Sequence, residues 1–377
     1  MKHDVAVIGA GAFGAWVALR LRLAGCSVVL FDAYGSGHSR ASSGGESRVI
    51  RMGYGPDEHY TQWSIRSLEQ WKDLFRQIGQ PLFHQTGVLW IASENDPYVV
   101  ETRRVLTRHG VPHEVMAGDE LRRLYPQIRF DDNAWAMLEP GSGMVLARRA
   151  VQAVAGDAQR LGVDYRMEGV AVNGGEVRTQ GGERIGAGTF VFACGPWLPK
   201  VFPALLGRRI HPTRQEVLFF GAASGDRRFA HPNLPVCADR LDDRKPYCLP
   251  DVENRGFKVA LDEHGPLFDP DQGDRSVSAD GIAQVRNWLS RRFPDMVDAP
   301  VVETRVCQYE NTSNGNFLID RHPDFANIWM VGGGSGHGFK HGPAVGEYAA
   351  GLILNGGSPD PRFSLSTKGE VRKREVF

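Results

Sequence analysis

Two periodicities divide the chain. Short, solidly apolar runs at 5–8, 28–31, 191–193 and 328–331 have the length and composition of strands buried on both faces. An Ala/Leu-rich stretch reaching to about Leu23 reads as the helix between the first two. Elsewhere the spacing is that of a half-buried helix: Pro56-Asp57 is a helix start, and Tyr60, Leu68, Trp71, Phe75 and Ile78 mark its apolar face. Residues 86–91 read as a strand, 97–109 and 118–125 as helical, and Ala147 to Leu161 as a further helix. Val163-Asp164-Tyr165 then opens a second strand–helix–strand stretch. The segment 213–310 is strand-rich and irregular, broken by Pro and Asp, with one helix near 281–292. The pattern predicts an α/β fold whose first domain, with a parallel sheet, is drawn from 1–84, 148–212 and 315–377. A strand-rich second domain comes from 85–147 and 213–314. The basic run from Lys368 to Lys373 reads as a solvated end.

The turn after the first strand carries chemistry. Gly9-Ala10-Gly11-Ala12-Phe13-Gly14 sits between strand and helix, and the second strand ends on Asp32. In this context the first glycine permits a tight turn, the second lets a pyrophosphate approach the backbone, and the third lets helix and strand pack closely. The helix N-terminus offers free N–H groups and partial positive charge to phosphates. Asp32 is placed to accept hydrogen bonds from ribose hydroxyls. This fingerprint predicts a dinucleotide but does not separate NAD from FAD. Residues 332–338 form a second glycine loop, followed by an Ala/Gly/Leu helix to about Leu354.

Composition narrows the class. A chain of 377 residues exceeds one ordinary core, so two domains are expected. Lys+Arg and Asp+Glu both number 44, which removes the electrostatic argument for nucleic acid or an anionic membrane. Cys26, Cys194, Cys237, Cys248 and Cys307 are scattered without a CxxC pair, so neither a disulfide framework nor a zinc site is expected. Met1-Lys2-His3-Asp4 leads directly into the first strand, and no apolar run is long enough to span a bilayer. The expectation is a cytoplasmic protein.

Beyond the fingerprint, six stretches stand in a fixed order: Ser47-Arg48-Val49-Ile50-Arg51, Gly195-Pro196-Trp197, Gly256-Phe257-Lys258, Val306-Cys307-Gln308-Tyr309, Ile319-Asp320-Arg321-His322-Pro323 and Gly336-His337-Gly338-Phe339-Lys340. Nearly end to end, the sequence resembles the monomeric sarcosine oxidase family, which includes N-methyltryptophan oxidase and pipecolate oxidase. The resemblance implies a Rossmann-like FAD domain and a catalytic domain with a mixed, largely antiparallel sheet. It further implies a monomer that oxidises the C–N bond of a secondary or N-methylated amino acid by hydride transfer to the flavin, with O2 as reoxidant and H2O2 as product.

The resemblance also implies roles. Arg51 and Lys340 bind the substrate carboxylate, a task suited to arginine's planar fork. On spacing alone Arg48 and Arg51 would share one face of a helical turn. Arg48 lies near the flavin, Tyr247 lines the pocket, and Lys258 supports the reaction with O2. Ser42, Ser43, Val170, Gly195, Trp197, Gly336, Gly338 and Lys340 join Gly9, Gly11, Gly14, Asp32 and Arg48 at the cofactor. Cys307 is the residue joined covalently to FAD, and the neighbouring Arg305 would favour its thiolate. Two positions depart from the family. Asp262 stands where sarcosine oxidase has a pocket histidine, and Asn314-Gly315-Asn316-Phe317 replaces an Asp-Glu-His-Phe-like stretch. Asp262 is expected to favour a substrate with a cationic or hydrogen-bond-donating group. No side-chain base is evident in the sequence. The rival readings are a flavin dehydrogenase feeding a quinone or carrier protein, an NAD-dependent dehydrogenase, and a catalytically silent FAD-binding subunit.

Overall fold

The apolar runs from both ends of the chain meet in one sheet. In the computed structural model, which describes residues 3–371, six strands lie in the order Leu318–Arg321, Ile328–Gly332, Ala187–Phe192, His3–Ile8, Val28–Phe31 and Asp164–Arg166. All neighbours run parallel except Leu318–Arg321, which pairs antiparallel at the edge. Parallel strands are covered on both faces, and Val5 to Ile8 and Val28 to Phe31 are accordingly buried throughout. Helix Ala12–Leu23 follows the first strand, and helix Gly342–Asn355 lies against it. Their closeness accounts for the small residues of the second helix: a Cβ on Gly346 would meet the Trp16 backbone at 2.7 Å, and one on Gly342 the Trp16 ring at 2.8 Å.

The second sheet has eight strands, in the order Val301–Thr312, Ile210–Phe220, Phe257–Leu261, Pro246–Leu249, Val236–Asp239, Val88–Ala92, Trp135–Glu139 and Glu114–Ala117. Val236–Asp239 and Val88–Ala92 pair parallel and the other neighbours antiparallel. The sheet is therefore mixed and largely antiparallel, as expected. A third sheet joins Ser47–Ile50 and Phe83–His84 to Gly143–Leu146. Gly143–Leu146 falls in the segment 85–147, yet it pairs with strands from 1–84 rather than with the eight-stranded sheet.

The expected helices appear as Glu58–Gln77, Pro97–Arg108, Gly118–Leu124, Ala147–Arg160 and Ala279–Arg292. On the first of these Trp71 stacks on Phe339 at 5.6 Å, and its Nε1 donates to the Lys340 carbonyl at 3.1 Å. The helix thereby holds the turn Phe339–His341 in place.

Three expectations fail. No helix follows Asp164–Arg166, because Gly174 and Gly175, both at positive φ, turn the chain into an antiparallel hairpin of Val170–Asn173 and Glu176–Thr179 before Ala187–Phe192. Arg48 and Arg51 do not share a helical turn, because Ser47–Ile50 is a strand held in register by Gly143–Leu146. Lys368 is not solvated. It is 3% exposed, its Nζ donates to the Arg362 carbonyl at 2.6 Å, and burial pushes its pKa down to about 8. Arg372 and Lys373, like Met1 and Lys2, lie outside the described residues.

Candidate active site

The glycines of the first turn are fixed by backbone contact. Gly9 has φ +104°, and a Cβ there would run into the Ala193 carbonyl. A Cβ on Gly14 would overlap the Gly9 carbonyl, so this glycine serves helix–strand packing and does not face a ligand. Above the turn opens a cavity of about 480 Å³. Gly9, Gly11, Asp32, Ser42, Ser43 and Arg48 line one side. Val170, Gly195, Trp197, Cys307, Gly336 and Gly338 line the rest. The Asp32 carboxylate is pinned by the backbone N–H groups of Ala10 (2.8 Å) and Tyr34 (2.9 Å), which leaves lone pairs for a ribose.

The cavity wall fits a dinucleotide. Helix Ala12–Leu23 has Gly11 at its N-cap with no side-chain cap bond, so its leading N–H groups are open to phosphate. Three buried wall atoms, Ser42 Oγ, Gln308 Oε1 and Glu310 Oε2, have no hydrogen-bond partner among the described residues. Buried polar atoms are rarely left so, and FAD carries hydroxyl and ring N–H groups that would satisfy them. Burial pushes the Glu310 carboxyl up to about 7.

A second cavity of about 110 Å³ opens beside the first. Arg48, Tyr309, Gly336 and Phe339 belong to both. Arg51, Tyr247, Lys258, Asp262 and Lys340 line the second cavity alone. The Arg51 guanidinium lies 4.4 Å from the Tyr54 ring centroid and 5.0 Å from that of Trp90, an arrangement favourable for a cation. Its polar partners are the Gly53 carbonyl and the Tyr98 hydroxyl, and no carboxylate forms an ion pair with it among the described residues. Burial opposes the Arg51 charge, but Tyr98, Tyr54, Glu139 and Asp262 together outweigh it. Lys340 Nζ donates to the Tyr54 hydroxyl (2.8 Å) and the His337 carbonyl (3.1 Å), again without an acidic ion-pair partner among the described residues. Burial and the nearby Arg51 hold it well below the usual lysine range. Two cations thus face the cavity with their neutralising partner still to come.

Lys258 is 2% exposed, and its Nζ donates to the Ser47 carbonyl at 2.8 Å. Cys307 is met by Arg48, whose Nη2 stands 3.0 Å from Sγ. Arg305 was the expected neighbour, yet its guanidinium donates to the Ser39 carbonyl. Asn316 lines neither cavity. Its side chain accepts from the Tyr60 hydroxyl at 3.0 Å, behind the pocket wall.

Comparison with known proteins bears directly on this arrangement. The model of the family described as FAD-dependent oxidoreductases matches residues 4–352. The chain belongs to that family. It is 28% identical to monomeric sarcosine oxidase from a Bacillus species, over 99% of this chain and 98% of that protein. It is 27% identical to N-methyl-L-tryptophan oxidase from Salmonella arizonae, over 97% of this chain and 98% of that protein. The solved structure of L-proline dehydrogenase from P. horikoshii has the same fold, with a TM-score of 0.82 at 22% identity over 96% of each chain.

Within this FAD-dependent oxidoreductase, several site residues escaped the sequence reading. Glu139, fully buried, accepts from the Met52 N–H (2.7 Å), the Gly53 N–H (3.1 Å), Trp90 Nε1 (2.7 Å) and Ser142 Oγ (2.6 Å). It fixes the segment after Arg51 and the indole over its guanidinium. Tyr54 joins Lys340 to His341, whose Nε2 lies 2.8 Å from the phenol oxygen. Tyr309 bridges the cavities, and Glu310 faces the first. The only local signal was their place beside Arg51, Cys307 and Lys340 in the sequence, and Glu139 lacked even that.

Proposed function

We propose that this protein is an FAD-dependent amine oxidase acting on the C–N bond of a small amino acid. The reading rests above all on Arg51 and Lys340, two enclosed cations without acidic ion-pair partners among the described residues, facing a small cavity that opens onto the dinucleotide site. A free carboxylate is the ligand that completes them. The relatives' names, sarcosine oxidase and N-methyl-L-tryptophan oxidase, point to N-methylated amino acids. Cavity size favours the smaller. A dry cavity of roughly 150 Å³ holds benzene, so about 110 Å³ suits a ligand of the size of sarcosine, glycine or alanine better than an indole.

FAD, when bound, would supply the acceptor for the hydride (one proton and two electrons) that the substrate loses, with O2 as the final oxidant. The protein's part is positioning and electrostatics. Arg51 and Lys340 hold the carboxylate, Trp90 and Tyr54 fix the guanidinium, and Tyr247 closes the pocket against water. Lys258 places positive charge beside the junction of the cavities. The ring of Asp32, Ser42, Ser43, Val170, Gly195, Trp197, Gly336 and Gly338 would hold the cofactor, with Arg48 beside it. We also infer that FAD is attached through Cys307, since Arg48 is poised to stabilise the thiolate that such a bond requires. Denaturation tests this: flavin stays with the wild-type chain and leaves Cys307→Ser. From the family resemblance we further infer a monomer of two domains, with 85–147, apart from the strand Gly143–Leu146, and 213–314 in the second; the cytoplasmic location remains the reading of the sequence.

The decisive test is an anaerobic spectral titration with sarcosine, glycine, L-alanine, L-proline, L-pipecolate and N-methyltryptophan, followed by admission of air. Bleaching by one of the small amino acids, with H2O2 formed on reoxidation, supports the reading. Bleaching without peroxide identifies a dehydrogenase. A yellow protein that none of them bleaches removes the amine-oxidase reading.

A further inference from the structure

The sequence shows no obvious base, but the second cavity has an acid in a telling place. Asp262 follows the strand Phe257–Leu261 and lines the same cavity as Arg51 and Lys340. Tyr309 donates its hydroxyl to Asp262 Oδ1 at 2.8 Å, and Oδ2 takes no hydrogen bond from the described residues. Arg51 and Lys340 both act on this carboxylate electrostatically, yet neither forms an ion pair with it among the described residues. Buried opposite charges normally collapse onto one another, because an unpaired one is costly. Here they line one cavity of about 110 Å³ and form no ion pair among the described residues. A ligand with a carboxylate at one end and an ammonium beside it would complete both.

We propose that Asp262 receives the proton that the bound substrate's ammonium group must lose before its C–H bond is broken. The inference rests on the amine-oxidase reading and deepens it, because it makes the ordinary zwitterionic amino acid the species recognised. One N–H bond of the ammonium breaks and its electron pair stays on nitrogen as the lone pair. One O–H bond forms at Asp262, and no oxidant enters this step. The proton passes to water when the product leaves.

The surroundings suit the task. Burial raises the Asp262 pKa, which makes it a better proton acceptor than an aqueous aspartate. Tyr309, from Val301–Thr312, opposes that rise through its hydrogen bond. Arg51 and Lys340 oppose it through their charge. Tyr247, from Pro246–Leu249, faces the same carboxylate. From the preceding loop, Lys245 also lines the cavity, and its Nζ donates to the Arg240 carbonyl at 3.0 Å. On the neighbouring strand Lys258 is committed to Ser47. When a substrate carboxylate neutralises Arg51 and Lys340, the two charges restraining the base are cancelled, so binding at one end prepares proton transfer at the other.

The test uses the holoenzyme and the best reductant among sarcosine, glycine, L-alanine and L-proline. The limiting rate of anaerobic flavin reduction is measured from pH 6 to 10. Asp262→Asn is expected to depend on the small fraction of free amine, so its rate rises about tenfold per pH unit and approaches wild type at the alkaline end. Tyr309→Phe, which keeps the carboxylate but removes its hydrogen bond, is expected to move the acid limb of the wild-type profile to higher pH. Acetate, which carries no amine, should perturb the flavin spectrum at least as tightly in Asp262→Asn as in wild type, because the variant only removes a negative charge near Arg51 and Lys340, showing the cation pair intact. If Asp262→Asn keeps the wild-type pH profile, or loses the same factor at every pH with acetate binding undiminished, the proposal is overturned. A Tyr309→Phe profile that does not move overturns it as well. If no amino acid reduces the wild type, the amine-oxidase reading itself has failed, and this inference with it.

Discussion

Arg51 is held ready for a ligand by groups that carry no opposing charge of their own. Aromatic faces and a carbonyl support the guanidinium without neutralising it, so it loses little when a carboxylate arrives. Arg51→Met is expected to raise KM roughly 10- to 100-fold, the worth of about 1.5–3 kcal/mol for charge-assisted hydrogen bonds. Arg51→Lys should recover only part of this, because an ammonium lacks the bidentate fork. Steady-state KM together with the anaerobic dissociation constant checks both. The residue type and its likeness to a known site made Arg51 and Lys340 legible in the sequence. Glu139 was not legible, because its partners are backbone N–H groups 86 and 87 residues away. Glu310 makes a second residue-scale prediction. Burial raises its carboxyl from the ordinary 4.5 to about 7, so the folded state binds the extra proton between those values. Stability of the cofactor-free protein therefore falls as pH rises through that window, by on the order of 3 kcal/mol. Glu310→Gln should leave the melting temperature unchanged at pH 4 and raise it at pH 8.

At the scale of elements, the strand–turn–helix unit at the N-terminus was readable because its determinants are local. Gly14 answers a steric demand set within five residues by the Gly9 carbonyl, and Gly9 one set by Ala193 at the end of the adjoining strand, while the turn itself is spelled out in consecutive residues. Gly14→Ala tests this. The added methyl overlaps the Gly9 carbonyl and forces helix Ala12–Leu23 away from its strand, at a cost of about 1–3 kcal/mol. Purified protein should then carry substoichiometric flavin, seen in its absorbance ratio, and melt at lower temperature. Gly11→Ala is the contrast. A Cβ there comes only to 3.5 Å from Ser43 Oγ, so the fold should tolerate it while the closer approach of a phosphate suffers. The segment Ser47-Arg48-Val49-Ile50 was misread for the opposite reason. A spacing of three fits a helical turn as well as a strand, and the partner that decides, Gly143–Leu146, enters nearly 100 residues later.

Across the whole molecule, the groups proposed to act at the flavin are also the ties between sheets. Lys258 of the eight-stranded sheet bonds to Ser47 of the three-stranded one, and Arg48 of the latter reaches Cys307 of the former. The junction of the two cavities therefore coincides with the junction of the sheets, which no local pattern could reveal although each residue was singled out. Lys258 is the most exacting case. Burial, and after it the positive charge of Arg48, hold its pKa well below the usual lysine range. It is a cation below that lowered pKa and neutral above it. If its charge promotes the reaction of reduced enzyme with O2, reoxidation should slow as pH rises through the lowered pKa. Lys258→Met should be slow and flat over the same range. Anaerobic reduction, which draws on Arg51, Lys340 and Asp262 instead, should keep its rate in Lys258→Met within a few fold. Stopped-flow measurement of the two half-reactions separates the effects. Equal losses in both would mean that Lys258 matters for holding the sheets together and not for O2, and Lys258→Arg, which keeps the charge, would then fail to restore reoxidation selectively.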